Sequence, residues 1–218
     1  MLKLAIDPPA GRPLEVLFLG AHSDDIEIGC GGAVLSLIRE HPDLCITWVV
    51  FGAKDLRAQE AHDSARNFLA PVREKNIQVR DYKDGFFPYI GASIKEYFEE
   101  LKRSVSPDLI FTHYRQDLHQ DHRLICELTW NTFRNHLILE YEIPKFDGDI
   151  GSPNLFFHLD ETVAKQKIDL LLKHFKTQTD RHWFNEDTFF SILRLRGIES
   201  RAPSKYAEAF YGRKITIG

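Results

Sequence analysis

Residues 15–32 read Glu-Val-Leu-Phe-Leu-Gly-Ala-His-Ser-Asp-Asp-Ile-Glu-Ile-Gly-Cys-Gly-Gly, and this stretch decides the fold. Val16 to Leu19 form a short apolar run of the kind that makes a fully buried strand. Gly20 ends it, and a loop holding His22, Asp24 and Asp25 follows. Gly29, Gly31 and Gly32 then open an apolar helix, Ala33 to Ile38. The end of a buried strand in an open α/β sheet is where such folds bind ligands. Two carboxylates and an imidazole placed there are costly to desolvate without a cation to neutralise them. The stretch therefore reads as a metal site. A polar surface loop whose Asp24 or Asp25 caps the next helix is the other reading.

Outward from this stretch, buried strands and amphipathic helices alternate. The helix near Gly29 to His41 stops at His41-Pro42, because the residue before a proline is pushed out of the helical region. Leu44 to Phe51 reads as a second buried strand and Asp55 to Leu69 as a helix. Ile77 to Val79 is a short third strand, and Asp84-Gly85 a turn. Ser93 to Val105 places Ile94, Tyr97, Phe98, Leu101 and Val105 on one helical face. Leu109 to Thr112 is a further buried strand, followed by a helix from His119 to Asn135. The alternation predicts an α/β fold, a Rossmann-like, mostly parallel sheet with helices on both faces. It forms a single domain over residues 1–218, with a core about 14–136 and a less regular C-terminal extension, 137–218. In that extension Leu137 to Ile143 and Asn154 to His158 read as strands. Glu161 to Phe175 and Glu186 to Leu195 read as helices, and Ala207 to Ile217 as a closing extended segment.

With 218 residues, 43% hydrophobic and 28% charged, one sizeable core is affordable. A net charge of -4 supplies no basic surplus for nucleic acid or an acidic membrane. No stretch of about 18 apolar residues offers a membrane span. The N-terminus lacks the apolar region of a signal peptide. Cys30, Cys45 and Cys126 form no CxxC pattern, and a sparse, odd count suits a reducing compartment. A cytoplasmic protein is expected.

The second chemistry-bearing stretch is His119-Gln120-Asp121-His122. A His-x-Asp-His string arises by chance roughly 0.04 times in a chain of this composition, so its occurrence carries information. It lies just past a buried strand and opens a helix, as the first motif does. In a parallel sheet those two strand ends share one edge, so His22, Asp25, His119 and His122 can converge. The pair His22-x-x-Asp25 plus one more imidazole makes a two-His, one-carboxylate set, a normal catalytic zinc arrangement with an open position for water. The remaining acidic and imidazole groups suit proton transfer beside it. A nucleotide- or sugar-binding module without catalysis competes with this reading. The first loop lacks the Gly-x-Gly-x-x-Gly turn that dinucleotide binding needs. A metal-dependent hydrolase of another amide is a further alternative.

Ala21-His22-Ser23-Asp24-Asp25 together with His119-Gln120-Asp121-His122 resembles the signature of the LmbE-like, or PIG-L, zinc-dependent N-acetylglucosaminyl deacetylases. Their usual forms are Ala-His-Pro-Asp-Asp-Glu and His-Pro-Asp-His. Arg57-x-x-Glu60, Arg196-Gly197 and Tyr206-Ala207-Glu208-Ala209-Phe210 extend the likeness over nearly the whole chain. The resemblance implies Zn2+ (or Fe2+ in vivo) held by His22, Asp25 and His122. It implies that Asp24 is the general base, that a protonated His119 holds an oxyanion, and that Asp121 orients an imidazole. Arg57 is implied as a substrate contact, and Asp84 reads either as a second one facing the pocket or as a turn residue only. The implied substrate is a small amino-sugar conjugate. Ser23 and Gln120 replace prolines, and Ile26 stands where the family often has Glu; none of these removes a ligand. His113 and His158 read as rim or packing histidines. The aromatic tail around Trp183, Phe184, Phe189, Phe190, Tyr206, Phe210 and Tyr211 reads as core or as the interface of a homo-oligomer.

Overall fold

The computed structural model describes residues 3–216. Its seven strands are β1 (Glu15–His22), β2 (Cys45–Gly52), β3 (Glu74–Val79), β4 (Leu109–His113), β5 (Leu137–Tyr141), β6 (Leu155–Leu159) and β7 (Tyr206–Gly212). They form one sheet in the order β3-β2-β1-β4-β5-β7-β6. The first five run parallel, while β7 lies antiparallel between β5 and β6. Six helices cover the sheet: α1 (Asp25–Glu40), α2 (Asp55–Phe68), α3 (Gly91–Ser104), α4 (Gln120–Thr132), α5 (Glu161–His174) and α6 (Glu186–Glu199). The α/β fold with helices on both faces is therefore as expected. No helix among the described residues is long and apolar enough to cross a membrane.

The period-2 geometry of a strand explains how β1 divides the core. Val16 and Phe18 pack with apolar residues of α1, α2, α5 and α6. Leu17, Leu19 and Ala21 pack on the opposite face with α3 and α4. Buried on both faces, β1 has no polar side chain from Val16 until His22, where it leaves the core. Strand order reverses between β1 and β4, and the crevice at such a reversal is the ligand-binding position of open α/β sheets.

The spacing predicts α1 from Gly29, yet it begins at Asp25 and breaks at Cys30, whose φ of -145° and ψ of 17° are not helical. Gly29 is a contact point rather than a start signal. A Cβ there would lie 2.1 Å from the ring of Tyr141, which reaches in to donate its hydroxyl to the Leu19 carbonyl at 2.6 Å. A broken helix leaves backbone groups without partners. Here a buried ion pair takes them: Glu208 of β7 accepts from the N–H groups of Gly32 and Ala33, each at 2.7 Å. Lys167 of α5 donates to the Ile28 carbonyl and to Glu208, each at 2.7 Å. The Tyr-Ala-Glu-Ala-Phe stretch is thus a core strand that mends α1.

Other boundaries move by a few residues. β3 starts at Glu74, α4 ends at Thr132 and α6 runs on to Glu199. The closing segment is a strand only to Gly212, and position 217 lies outside the described residues. Gly197 permits α6 to lie against the chain entering β7, since a Cβ would sit 2.0 Å from the Lys205 carbonyl oxygen. Its neighbour Arg196 is buried and grips Glu142 with two bonds of 2.7 and 2.6 Å. Cys126, read as a buried thiol from its apolar neighbours, is buried, and so is Cys30. Cys45, expected to be buried, is half-buried at the start of β2 and donates to Glu74 at 3.2 Å.

Lys167 and Glu208 are each about 2% exposed at the side chain, so removing one leaves the other charge buried without a partner. Lys167→Met is expected to cost about 3–5 kcal/mol in urea unfolding. Replacing both partners by apolar residues of similar volume should cost less than this single change.

Candidate metal centre

β1 delivers His22 to the crevice, and the chain turns sharply into α1. Asp25, the first residue of that helix, does not cap it. Its Oδ2 accepts the His22 backbone N–H at 2.6 Å, and this aims the carboxylate back at the strand end. Asp24 occupies the N-cap position without a side-chain capping bond. From the other side, His119 is the N-cap of α4, its Nδ1 accepting the Asp121 N–H at 3.3 Å. His122 follows on the first turn.

Three donor atoms from these segments form a near-equilateral triangle. His22 Nδ1 lies 3.2 Å from His122 Nε2 and 3.4 Å from Asp25 Oδ2, and His122 Nε2 is 3.5 Å from Asp25 Oδ2. Tetrahedral ligands with zinc bonds of about 2.0–2.1 Å sit about 3.3–3.5 Å apart, so the spacing suits a zinc-sized ion. The outer nitrogens have carboxylate partners. His22 Nε2 faces Asp121 Oδ2 at 3.2 Å and Asp84 Oδ1 at 3.1 Å, and His122 Nδ1 faces Asp117 Oδ2 at 2.9 Å. A carboxylate behind each imidazole fixes its tautomer and raises its basicity as a ligand. The donor set thus fits a divalent cation.

The electrostatics agree with that assignment. Burial and the stacked His113 push His122 down to about 4, which keeps it neutral, the form a ligand needs. Burial works to raise Asp25, but His122 and His113 outweigh it and hold the carboxyl well below its usual range. Burial also disfavours charge on His22; its bonds to Asp121 and Asp25 prevail and hold it well above the ordinary imidazole value. A divalent ion would take the place of that proton. Burial and Asp25 push Asp24 up to about 6, against the pull of Arg57 and His22. That value suits a group that accepts and returns a proton near neutrality.

Arg57, on the first turn of α2, arches over Asp24. Its Nε donates to Ser23 Oγ at 3.1 Å, with Nη2 at 3.6 Å from Asp24 Oδ1 and Nη1 at 3.3 Å from Asp84 Oδ2. Ser23 therefore does what a proline in its place could not: it accepts a hydrogen bond from this guanidinium. Asp84 stands at the open rim with its side chain 53% exposed, and the His22 hydrogen bond holds it down at about 2. Glu60, three residues after Arg57, faces away and accepts both the N–H and the hydroxyl of Thr177. Asp121 is fully buried behind His22 and also accepts the Gly85 and Phe87 N–H groups at 2.7 and 3.1 Å. Burial and His22 push His119 below the ordinary imidazole value. With Nδ1 accepting, its neutral tautomer carries the proton on Nε2, so it can donate a hydrogen bond without being charged.

Two contributors escaped the sequence reading. His113, read as a rim or packing residue, packs at the centre itself: it is fully buried, its ring stacked on His122 at 3.9 Å, its Nε2 accepting the Ala21 N–H at 2.9 Å. Asp25, His113 and His122 form a second cluster able to hold a metal. The Ala21 bond commits the His113 lone pair, which favours His22 as the third ligand. Asp117 is the other. It opens the Asp-x-His-x-Asp-His string, and the acid five residues before His122 was the available signal. His158, by contrast, is exposed on β6 and joins no cluster among the described residues.

The family model for GlcNAc-PI de-N-acetylase, PIG-L, matches residues 17–133, more than half of the chain. The chain belongs to the PIG-L family. The matched segment runs from β1 through α4 and so contains the donor triangle. An uncharacterized deacetylase of Escherichia coli K12, YaiS, is 24% identical over 181 residues, spanning 80% of this chain and 97% of its own. Among solved structures, the N,N'-diacetylchitobiose deacetylase of Pyrococcus horikoshii aligns with a TM-score of 0.66 at 20% identity, covering 91% of this chain and 83% of that one. GalB, the 4-carboxy-2-hydroxymuconate hydratase of Pseudomonas putida KT2440, aligns at 0.74 and 15% identity, covering 94% and 99%. At such identities these structures attest the shared fold, a scaffold that carries more than one chemistry.

The two overlapping clusters are separable by experiment. His22→Ala is expected to abolish stoichiometric zinc in elemental analysis, whereas His113→Phe should retain one ion per chain.

Proposed function

We propose that this PIG-L family member is a metal-dependent N-deacetylase. It removes the acetyl group from an N-acetylglucosamine-type sugar on a small conjugate, releasing acetate and a free amine. The observation that carries the proposal is the His22–Asp25–His122 triangle with the buried carboxylate of Asp24 beside it and, among the described residues, no side-chain hydrogen-bond donor nearer to Asp24 than Arg57 at 3.6 Å. A zinc ion (or Fe2+) held by those three residues would supply Lewis acidity, polarising an amide carbonyl and making water a better nucleophile.

The chain's own residues do the rest. Asp24 accepts the proton of the attacking water. The water oxygen bonds to the acetyl carbon, and the carbonyl electron pair moves onto oxygen. His119 donates its Nε2–H to that oxyanion, a fixed donor where charge develops. When the C–N bond breaks, Asp24 returns the proton to the leaving nitrogen, so that water has been divided between acetate and amine. Arg57 and Asp84 flank the open side and are positioned to bind sugar hydroxyls, while Arg57 also keeps Asp24 from drifting. Asp121 and Asp117 hold the two imidazoles in register. The hydratase of the same fold marks the competing chemistry, addition of water across a carbon–carbon double bond.

Acetate release from a panel of N-acetylglucosaminyl conjugates by zinc-loaded protein tests the proposal, and absence of acetate from every conjugate would count against it. Asp24→Ala should retain one zinc and lose about 10²–10⁴-fold in turnover. A near-wild-type rate in that variant would remove Asp24 from the role of base.

A further inference from the structure

Two residues beside the donor triangle, Lys145 and Asp149, have no role in the chemistry above. Lys145, on the segment between β5 and β6, is 9% exposed at the side chain and lies between two buried carboxylates. Its Nζ is 3.0 Å from Asp117 Oδ2 and also donates to Asp149 Oδ2, four residues along its own segment. Asp117 Oδ2 is the oxygen that faces His122 Nδ1, and Asp117 Oδ1 accepts the His119 N–H at 2.7 Å. Asp149 accepts the Leu118 N–H at 2.7 Å. One ammonium therefore joins residues 145–149 to the turn that carries His119 and His122.

We propose that Lys145 is a positioning residue for the metal centre: its charge keeps the Asp117 carboxylate seated against His122 and clamps the Leu118–His119 turn through Asp149. The inference rests on the metal reading given above. The reason is electrostatic. Asp117 and Asp149 both approach one ammonium, so the two carboxylates are close neighbours with side chains 2% and 6% exposed. Without a cation between them, like charges out of water repel strongly. The outer one lies on an irregular segment flanked by exposed residues; the inner one sits behind a ligand. Relief comes as Asp149 swings outward on that segment, which releases the Leu118 N–H and so loosens the turn that carries Asp117, His119 and His122. Outer partners of metal ligands typically govern affinity by 10–100-fold.

Zinc affinity measured by competition with a chromophoric chelator gives a readout independent of catalysis. Lys145→Met is expected to weaken zinc binding about tenfold or more, and Lys145→Arg to stay within about threefold of wild type. Lys145→Met/Asp149→Asn, which removes one of the opposed charges as well, should recover part of the loss. A merely structural lysine would lower the melting temperature of the metal-free protein and leave the zinc Kd untouched, and that result overturns the proposal. Should Lys145→Met fail to fold, Asp149→Ala carries the test. It releases the clamp with the lysine charge retained and should weaken zinc binding by about threefold; unchanged affinity there overturns the proposal equally. Wild-type protein that takes up no zinc overturns the metal reading itself, whereas wild-type uptake matched by Lys145→Met overturns only the role of Lys145.

Discussion

One oxygen, Asp25 Oδ2, is the point on which the centre turns. It receives the His22 backbone N–H at 2.6 Å and lies 3.4, 3.2 and 3.5 Å from nitrogens of His22, His113 and His122. A carboxylate so deeply buried is tenable only in a cationic or donor-rich setting. Three separate pieces of the sheet edge bring nitrogens to it, the end of β1, the end of β4 and the first turn of α4, and a divalent ion held among them would supply the positive charge. Everything that aligns those pieces serves this contact. The parallel pairing of β1 with β4 brings the strand ends side by side, and the Tyr141 hydroxyl fastens β5 to the backbone of β1 just below them.

The same constraint accounts for features far from the crevice. α1 starts directly at Asp25, so its first turn must be rigid, yet it breaks only five residues later. The Lys167–Glu208 pair supplies the missing partners at the break. Two of the ion pairs with little exposure to water, Lys167–Glu208 and Arg196–Glu142, belong to the C-terminal third. That region thus acts as a scaffold for a centre whose candidate donors all come from the first 122 residues.

The parallel core was legible because each of its strands is a short apolar run followed by a helical pattern, and the two acidic-histidine motifs sat at two such strand ends. Their meeting followed from topology alone. What was not legible depended on contacts between distant segments. Gly29, Gly31 and Gly32 read as a helix opening, because nothing local reveals that Tyr141 and Leu159 occupy the space their side chains would fill. His113 read as either a rim or a packing residue because the last position of a strand points into the crevice or into the core according to register, which the sequence leaves open. Asp117 and Lys145 acquire meaning only when the chain from β5 returns beside α4. Glu60 and the Arg-Gly pair matched a pattern, but their partners, Thr177 and Glu142, identify them as packing devices.

The placement of β7 has a temporal consequence. The strand at residues 206–212 lies between β5 and β6, so the segment 155–159 has no neighbour in the sheet until β7 has been synthesised. Glu208, which the N-terminal helix needs at its break, arrives in the same late event. During synthesis the break in α1 therefore stays unmended until Glu208, 176 residues beyond Gly32, has been made and has folded back onto it.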